Sequence, residues 1–172
     1  MSILKTNTIK DLGGNTLLSS DGAGTLTLPS DLKATPAFHV SLSSEQTISN
    51  NTATKIQFNN EFLDTDNCWD STTNYRFQPT VQGQYMIGGL LRFQSSASAS
   101  QLFFDVRKNG SAYVQSYYTN TYYNGHPINV IVNLNGSTDY VEFFCHHNFG
   151  TNTNIPSTSA NAYGFGYRLI GA

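Results

Sequence analysis

The sequence predicts an all-β protein: a two-sheet sandwich or jelly roll behind a short β-rich stem. Three observations carry this. Only 12% of the 172 residues are charged. In their place stand Asn, Thr, Ser, Gly, Tyr and Phe, the types that suit turns and strands. No window sustains apolar residues at the roughly 3.6-residue spacing of a helix. Instead, short runs alternate apolar and polar residues between Asn- and Gly-rich turns. The length suits one domain with a short extension, and such a core needs no covalent staples.

Residues 3 to 28, ILKTNTIKDLGGNTLLSSDGAGTLTL, hold short β-prone runs separated by the turns DLGGN and SDGAG. A pair of strands this short is marginal alone in water. Ile3, Ile9, Leu17, Leu18, Leu26 and Leu28 therefore need partners, which three copies wound about one axis would supply. PSDLKATP, Pro29 to Pro36, reads as a linker, dividing a stem at 1–35 from a head at 36–172. In the head, AFHVSL places Phe38, Val40 and Leu42 on one face, and GQYMIGGLLRF does the same for Tyr85, Ile87, Leu91 and Phe93. QLFFDVRK sets Leu102, Phe104 and Val106 against Phe103, Asp105 and Arg107, and KNGS then signals a hairpin. INVIVNL turns Ile128, Val130, Val132 and Leu134 inward before the turn LNGS. DYVEFFCH turns Val141, Phe143 and Cys145 inward, and AYGFGYRLI puts Tyr163, Phe165, Tyr167 and Leu169 on one face.

Composition also excludes partners. The net charge is −2 and no basic run exists. Nucleic-acid binding needs clustered Lys and Arg, so none is expected. No stretch approaches the about 18 apolar residues of a membrane span, so no insertion is expected. MSILKTNTIKD lacks the apolar region of a secretion signal, which points to synthesis in a cytosol. Cys68 and Cys145 make no disulfide framework and are expected to be reduced, with Cys145 packing as a small apolar residue. The sequons at Asn50, Asn109 and Asn135 read as turn residues.

An ordered set of motifs runs through the head: Phe38 and Leu42; Lys55, Ile56 and Phe58; Asp64, Thr65, Asn67, Trp69 and Asp70; Phe77 and Pro79; Gly83 and Tyr85; RKNG at Arg107 to Gly110; and GFGYRLI at Gly164 to Ile170. In order and spacing, residues 37 to 170 resemble the globular head of complement component 1q, a member of the tumour necrosis factor-like superfamily. The departures are Trp69, where Tyr is usual, and a closing Gly-Tyr-Arg-Leu-Ile where a shorter Gly-Phe-Leu-Ile is common. The resemblance implies a ten-stranded jelly roll that assembles as a compact homotrimer. LKTNTIKDLGGN and SSDGAGTLT are similar to the opening segments of bacteriophage tail-fibre and virion-appendage proteins, which attach a fibre to the particle and start trimerisation. No Gly-x-y repeat is present, so a β-rich stem would replace a collagen stalk.

The densest chemistry lies in FNNEFLDTDNCWD, which holds Glu61, Asp64, Asp66 and Asp70 among only 11 acids in the chain. Asp64, Asp66, Asn67 and Asp70 read as a structural turn in which Asx side chains bond backbone N–H groups. An EF-hand reading fails, because Trp69 stands at its glycine position and Tyr75 at its closing glutamate. No metal or other cofactor is expected. His146 and His147 are strand neighbours facing opposite ways, so one ion within a chain cannot take both. Three copies of one His could meet on a three-fold axis, and the plainer reading is a rim histidine. No nucleophile elbow, phosphate loop or zinc spacing appears, and no enzyme is expected.

Five tyrosines crowd AYVQSYYTNTYYNGH, and Tyr suits recognition loops. Tyr117, Tyr118, Tyr122 and Tyr123 are the candidate contacts to a glycan or protein on a host surface; a trimer seam is the competing use of such residues. Met86, Leu90, Ile131 and Ile170 fall opposite the inward set and are assigned to the trimer interface. Phe103 and Phe144 fall on the outer face of the other sheet unless a bulge reverses the parity. The expected protein is a virion appendage, a short fibre or knob, made in the host bacterial cytoplasm. Its stem would join other virion proteins and its head would face the host. A purely structural decoration or connector is the alternative. A polysaccharide depolymerase stands third, with Asp105 and Glu142 its one testable carboxylate pair.

Overall fold

The computed structural model describes residues 6–27, 35–95, 99–119 and 125–169. Ile3, Leu28, Tyr122, Tyr123, Ile170 and most of the Pro29–Pro36 segment lie outside them. The described residues hold strands and turns and no helix. The chain divides into two compact units, Met1–Thr35 and Pro36–Ala172.

In the first unit, β1 (Thr8–Lys10), β2 (Thr16–Ser20) and β3 (Leu26–Thr27) form one antiparallel sheet in that order. Its turns are tied by aspartates. Asp11 accepts from the Asn15 backbone N–H and side-chain amide, each at 2.9 Å. Asp21 accepts from Ala23 N–H at 2.7 Å and Thr25 N–H at 3.1 Å. Three short strands cannot cover one another, so Ile9, Leu17 and Leu26 stay exposed.

The second unit is a jelly roll. Its strands are β4 (Ala37–Ser41), β5 (Gln46–Ile48), β6 (Thr54–Lys55), β7 (Asn60–Asp64), β8 (Trp69–Asp70), β9 (Arg76–Phe77), β10 (Gly83–Leu91), β11 (Leu102–Lys108), β12 (Ser111–Tyr118), β13 (His126–Leu134), β14 (Val141–His147), β15 (Thr153–Ile155) and β16 (Ala162–Arg168). A five-stranded sheet runs β13-β10-β16-β4-β7. A six-stranded sheet runs β12-β11-β14-β9-β8, with β6 also paired to β14, and β15 pairs β5. These are thirteen described strands where the resemblance implied ten. Three of them, β6, β8 and β9, are two-residue pieces, and the Asx turn at Asp70 separates β8 from β9.

The core is the alternation read from the sequence. Phe38, Val40, Tyr85, Ile87 and Leu91 of one sheet and Phe77, Leu102, Phe104, Val106, Phe143 and Cys145 of the other are fully buried. The two sheets approach closely through β16. A Cβ on Gly164 would lie 2.7 Å from the Phe143 ring, and one on Gly166 would lie 2.5 Å from Phe38. Positions 164 and 166 of β16 are therefore glycines because the Phe143 ring of the facing sheet and the Phe38 ring of the adjacent β4 already fill the space. Tyr163, Phe165 and Tyr167 do share a face, and it is the outward one. The β11–β12 hairpin closes through Asn109 at φ 52° and Gly110 at φ 81°, left-handed backbone that this pair of residues tolerates.

Candidate functional surfaces

The acidic stretch folds into a corner in which two aspartates hold backbone. Asp64 accepts from Cys68 N–H at 2.9 Å and Trp69 N–H at 3.1 Å. Asp66 and Asn67 between them are left-handed, at φ 65° and 54°. Asp70 accepts from the N–H groups of Thr72 at 3.0 Å, Thr73 at 2.8 Å and Asn74 at 3.1 Å. These bonds, led by that from Thr73, hold the Asp70 carboxyl far below the usual carboxylate range. Asp64 moves the other way: burial raises it, against the two backbone donors. The turn delivers Trp69 into the core, where it stacks on Phe38 at 4.8 Å and donates to Phe58 O at 3.1 Å. Among the described residues, no three His, Cys, Asp or Glu side chains gather as a metal site.

The outer face of the five-stranded sheet is apolar in rows. Register sets Ile131 beside Met86 and Met86 beside Tyr167. It sets Leu90 beside Tyr163 and Phe165 beside His39, with Leu63 next on β7. Met86 and Leu90 are half-buried, whereas Ile131 is 48% exposed. The three outward aromatics of β16, together with Phe62, widen this stripe well beyond Met86, Leu90 and Ile131. Their parity was legible in AYGFGYRLI once the glycines are read as the inward set.

The outer face of the six-stranded sheet is charged and aromatic. Asp105 is 1% exposed and Glu142 5%. Asp105 accepts from Gln115 Nε2 at 2.8 Å and pairs with Arg107 at 3.4 Å. Glu142 is bound by Lys55 Nζ, which also donates to Asn74 O at 3.1 Å. The Arg107 guanidinium lies 3.8 Å over the Phe144 ring, and His146 stacks on Phe103 at 4.6 Å. Register sets Asp105 opposite Phe144 and Glu142 opposite Arg107, so the two carboxylates do not face each other. Burial raises the Asp105 carboxyl, opposed by Gln115 and Arg107. Neither acid is free to flank a scissile bond.

The histidines correct the rim reading. His147 is wholly buried, its Nε2 3.2 Å from Ile48 O, and its ring stacks on Phe149 at 4.8 Å. His146 lies on the opposite face and is also buried. Desolvation lowers both, and His126 with them.

Strand parity separates the candidate tyrosines. Tyr117 points outward and is 51% exposed. Tyr118 turns to the inner face, where it packs 4.3 Å from the His126 ring and donates to Pro127 O at 3.3 Å. Adjacent strand residues cannot serve one surface, a constraint the clustering in sequence conceals.

This sheet order and this division of faces define a tumour necrosis factor-like jelly roll. Solved structures share the fold at low identity. Murine APRIL aligns with 79% of this chain and 100% of its own, at 11% identity and a TM-score of 0.61. Phage PRD1 vertex protein P5 aligns with 78% of this chain and 96% of its own, at 14% identity and a TM-score of 0.57. Eiger TNF from S. frugiperda aligns with 80% and 93%, at 8% identity and a TM-score of 0.53. No protein-family profile matches the sequence, and no curated protein matches it.

Proposed function

We propose that the chain is a homotrimeric structural protein of a virion, a short fibre, knob or vertex-type appendage. One observation carries the reading: the apolar rows through Ile131, Met86 and Tyr167 and through Leu90 and Tyr163 lie uncovered on one sheet of a jelly roll. The family resemblance supplies a compact trimer that would cover such rows, and Ile170 belongs to the same proposed seam. The fold likeness to phage PRD1 vertex protein P5 and the fibre-like opening of the stem favour a particle over a secreted ligand. Ile9, Leu17 and Leu26 of the stem would be covered when three copies wind together and join other virion proteins. Synthesis in the host bacterial cytoplasm precedes assembly.

The head faces the host in this reading. Tyr117 would contact a surface glycan or protein, and Tyr122 and Tyr123 are further candidate contacts by sequence. Weak contacts repeated on one rigid trimer add up by effective concentration. No step of this function is catalytic.

Sedimentation equilibrium of the full chain at micromolar concentration is expected to give three times the monomer mass, and immunogold labelling is expected to decorate intact particles. A folded monomer would overturn the trimer. Tyr117→Ala is expected to reduce adsorption to host cells while the trimer persists. Unchanged adsorption would leave a structural decoration without a receptor role.

A further inference from the structure

Beside β5, β6 and the entry to β9 lies an open cleft of about 450 Å³. Glu45, Gln46, Lys55, Gln57 and Asn59 line it, with Tyr75 its one aromatic residue. We propose that this cleft binds a neutral saccharide, with Tyr75 as the stacking ring and the surrounding amides as partners for sugar hydroxyls. The inference goes beyond the virion reading and holds with or without it.

The polar side chains are fixed before any ligand arrives. Gln46 donates to Lys55 O at 2.8 Å and accepts from Gln57 N–H at 2.9 Å. Asn59 Oδ1 accepts from Ser43 N–H at 2.9 Å, which orients its amide and leaves the NH₂ group to donate. Glu45 accepts from Gln94 Nε2 at 2.6 Å and Asn154 Nδ2 at 3.0 Å. Preset planar amides recognise hydroxyls at low entropic cost. Gln57 is exposed between the buried Ile56 and Phe58.

The charges select against anions. Lys55 is committed to Glu142 and to Asn74 O, so it is a poor anchor for phosphate or carboxylate. Glu45 adds a negative charge that disfavours anions further. Leu42 alone among the lining residues is apolar and aliphatic, too little for a lipid or other apolar ligand. A ligand rich in hydroxyls, with one C–H face for an aromatic ring, fits what remains.

Tyr75 has φ 48°, a left-handed conformation that a bulky side chain seldom adopts. The Asp70 turn enforces it: Asn74, the residue before, is held by Asp70 through its backbone at 3.1 Å and its side chain at 2.6 Å. A Gly or Asn there would close the turn with less strain. The acidic corner of the sequence thus positions the ring of the cleft.

Saturation-transfer difference NMR on the full chain, with maltose, lactose and N,N′-diacetylchitobiose as probes, tests this. Transfer from the protein to at least one disaccharide is expected. Tyr75→Asn is expected to weaken that binding about tenfold or more without lowering Tm, because Asn accepts left-handed backbone. Gln57→Ala, on an exposed side chain, is a second variant expected to weaken it severalfold. Tyr113→Ala, at an exposed tyrosine outside the lining of the cleft, is expected to leave it unchanged. No transfer to any of the three sugars, undiminished transfer in Tyr75→Asn, or displacement of the sugar by inorganic phosphate would each overturn the proposal.

Discussion

The two sheets of the head meet solvent in opposite ways. On the six-stranded sheet the outward carboxylates of Asp105 and Glu142 find Gln115, Arg107 and Lys55 within the chain, and Phe103 and Phe144 lie under His146 and Arg107. On the five-stranded sheet the outward Ile131, Met86, Tyr167, Leu90 and Tyr163 lie in apolar rows, with His39 and Phe165 beside Tyr163. Both faces follow from the same two-residue alternation. What differs is the chemistry placed on it. Charge and aromatic pairs complete a surface from within one chain, whereas apolar rows gain stability only when a second surface removes them from water.

The comparison breaks most visibly at Ile131. Ile131→Asp puts a charge in the centre of the apolar row at an already exposed position. It is expected to weaken association at least about a hundredfold, with the β-sheet circular dichroism retained. Sedimentation at micromolar concentration reads the shift from trimer to monomer. An unchanged trimer would place the seam elsewhere. The counterpart on the other sheet is Lys55→Met, which leaves the buried Glu142 carboxylate without its partner. An expected loss of about 2 kcal/mol in urea unfolding, with the oligomer unchanged, marks a face whose work lies within the chain. Equal loss of assembly in both variants would erase the distinction.

Much of this was legible in the sequence because alternation fixes parity. Phe38, Val40, Phe104, Val106, Val132 and Phe143 are buried as their positions require, and the Asn109–Gly110 turn has the positive φ that KNGS signals. The missed features depend on contacts between distant segments. Nothing local in AYGFGYRLI explains Gly164 and Gly166, whose space is taken by Phe143 and Phe38. His146 and His147 read as rim residues because burial by Phe103, Phe93 and Phe149 has no local signature. The cleft has no signature in the sequence because its residues arrive from three separate stretches, 42–47, 54–59 and Tyr75, and only the fold gathers them.

The smallest expected effect probes how fully the charged face satisfies itself. Burial raises the Asp105 carboxyl above its unfolded value of about 3.9. A carboxyl raised in the folded state subtracts stability once ionised, and this subtraction vanishes as pH falls below the unfolded value. Asp105→Asn keeps an oxygen for Gln115 and cannot ionise, so at neutral pH it is expected to be the more stable protein by about 0.5 kcal/mol. Acid should narrow that margin in two ways. Wild-type Asp105 becomes protonated, which removes its penalty. His146 matters as well, since the Asp105 charge raises it against desolvation. Without that charge the variant's His146 accepts a proton less readily when folded, so the variant loses more stability as pH falls below about 6.5. His126 and His147, both lowered by burial, reduce the stability of the two proteins alike over that range. Urea midpoints across the pH series therefore report a difference that is largest near neutrality and shrinks with acid. A difference that grows with acid would mean that Arg107 and Gln115 more than offset the cost of burying the charge, and that this face is tied together more tightly than its exposed neighbours suggest.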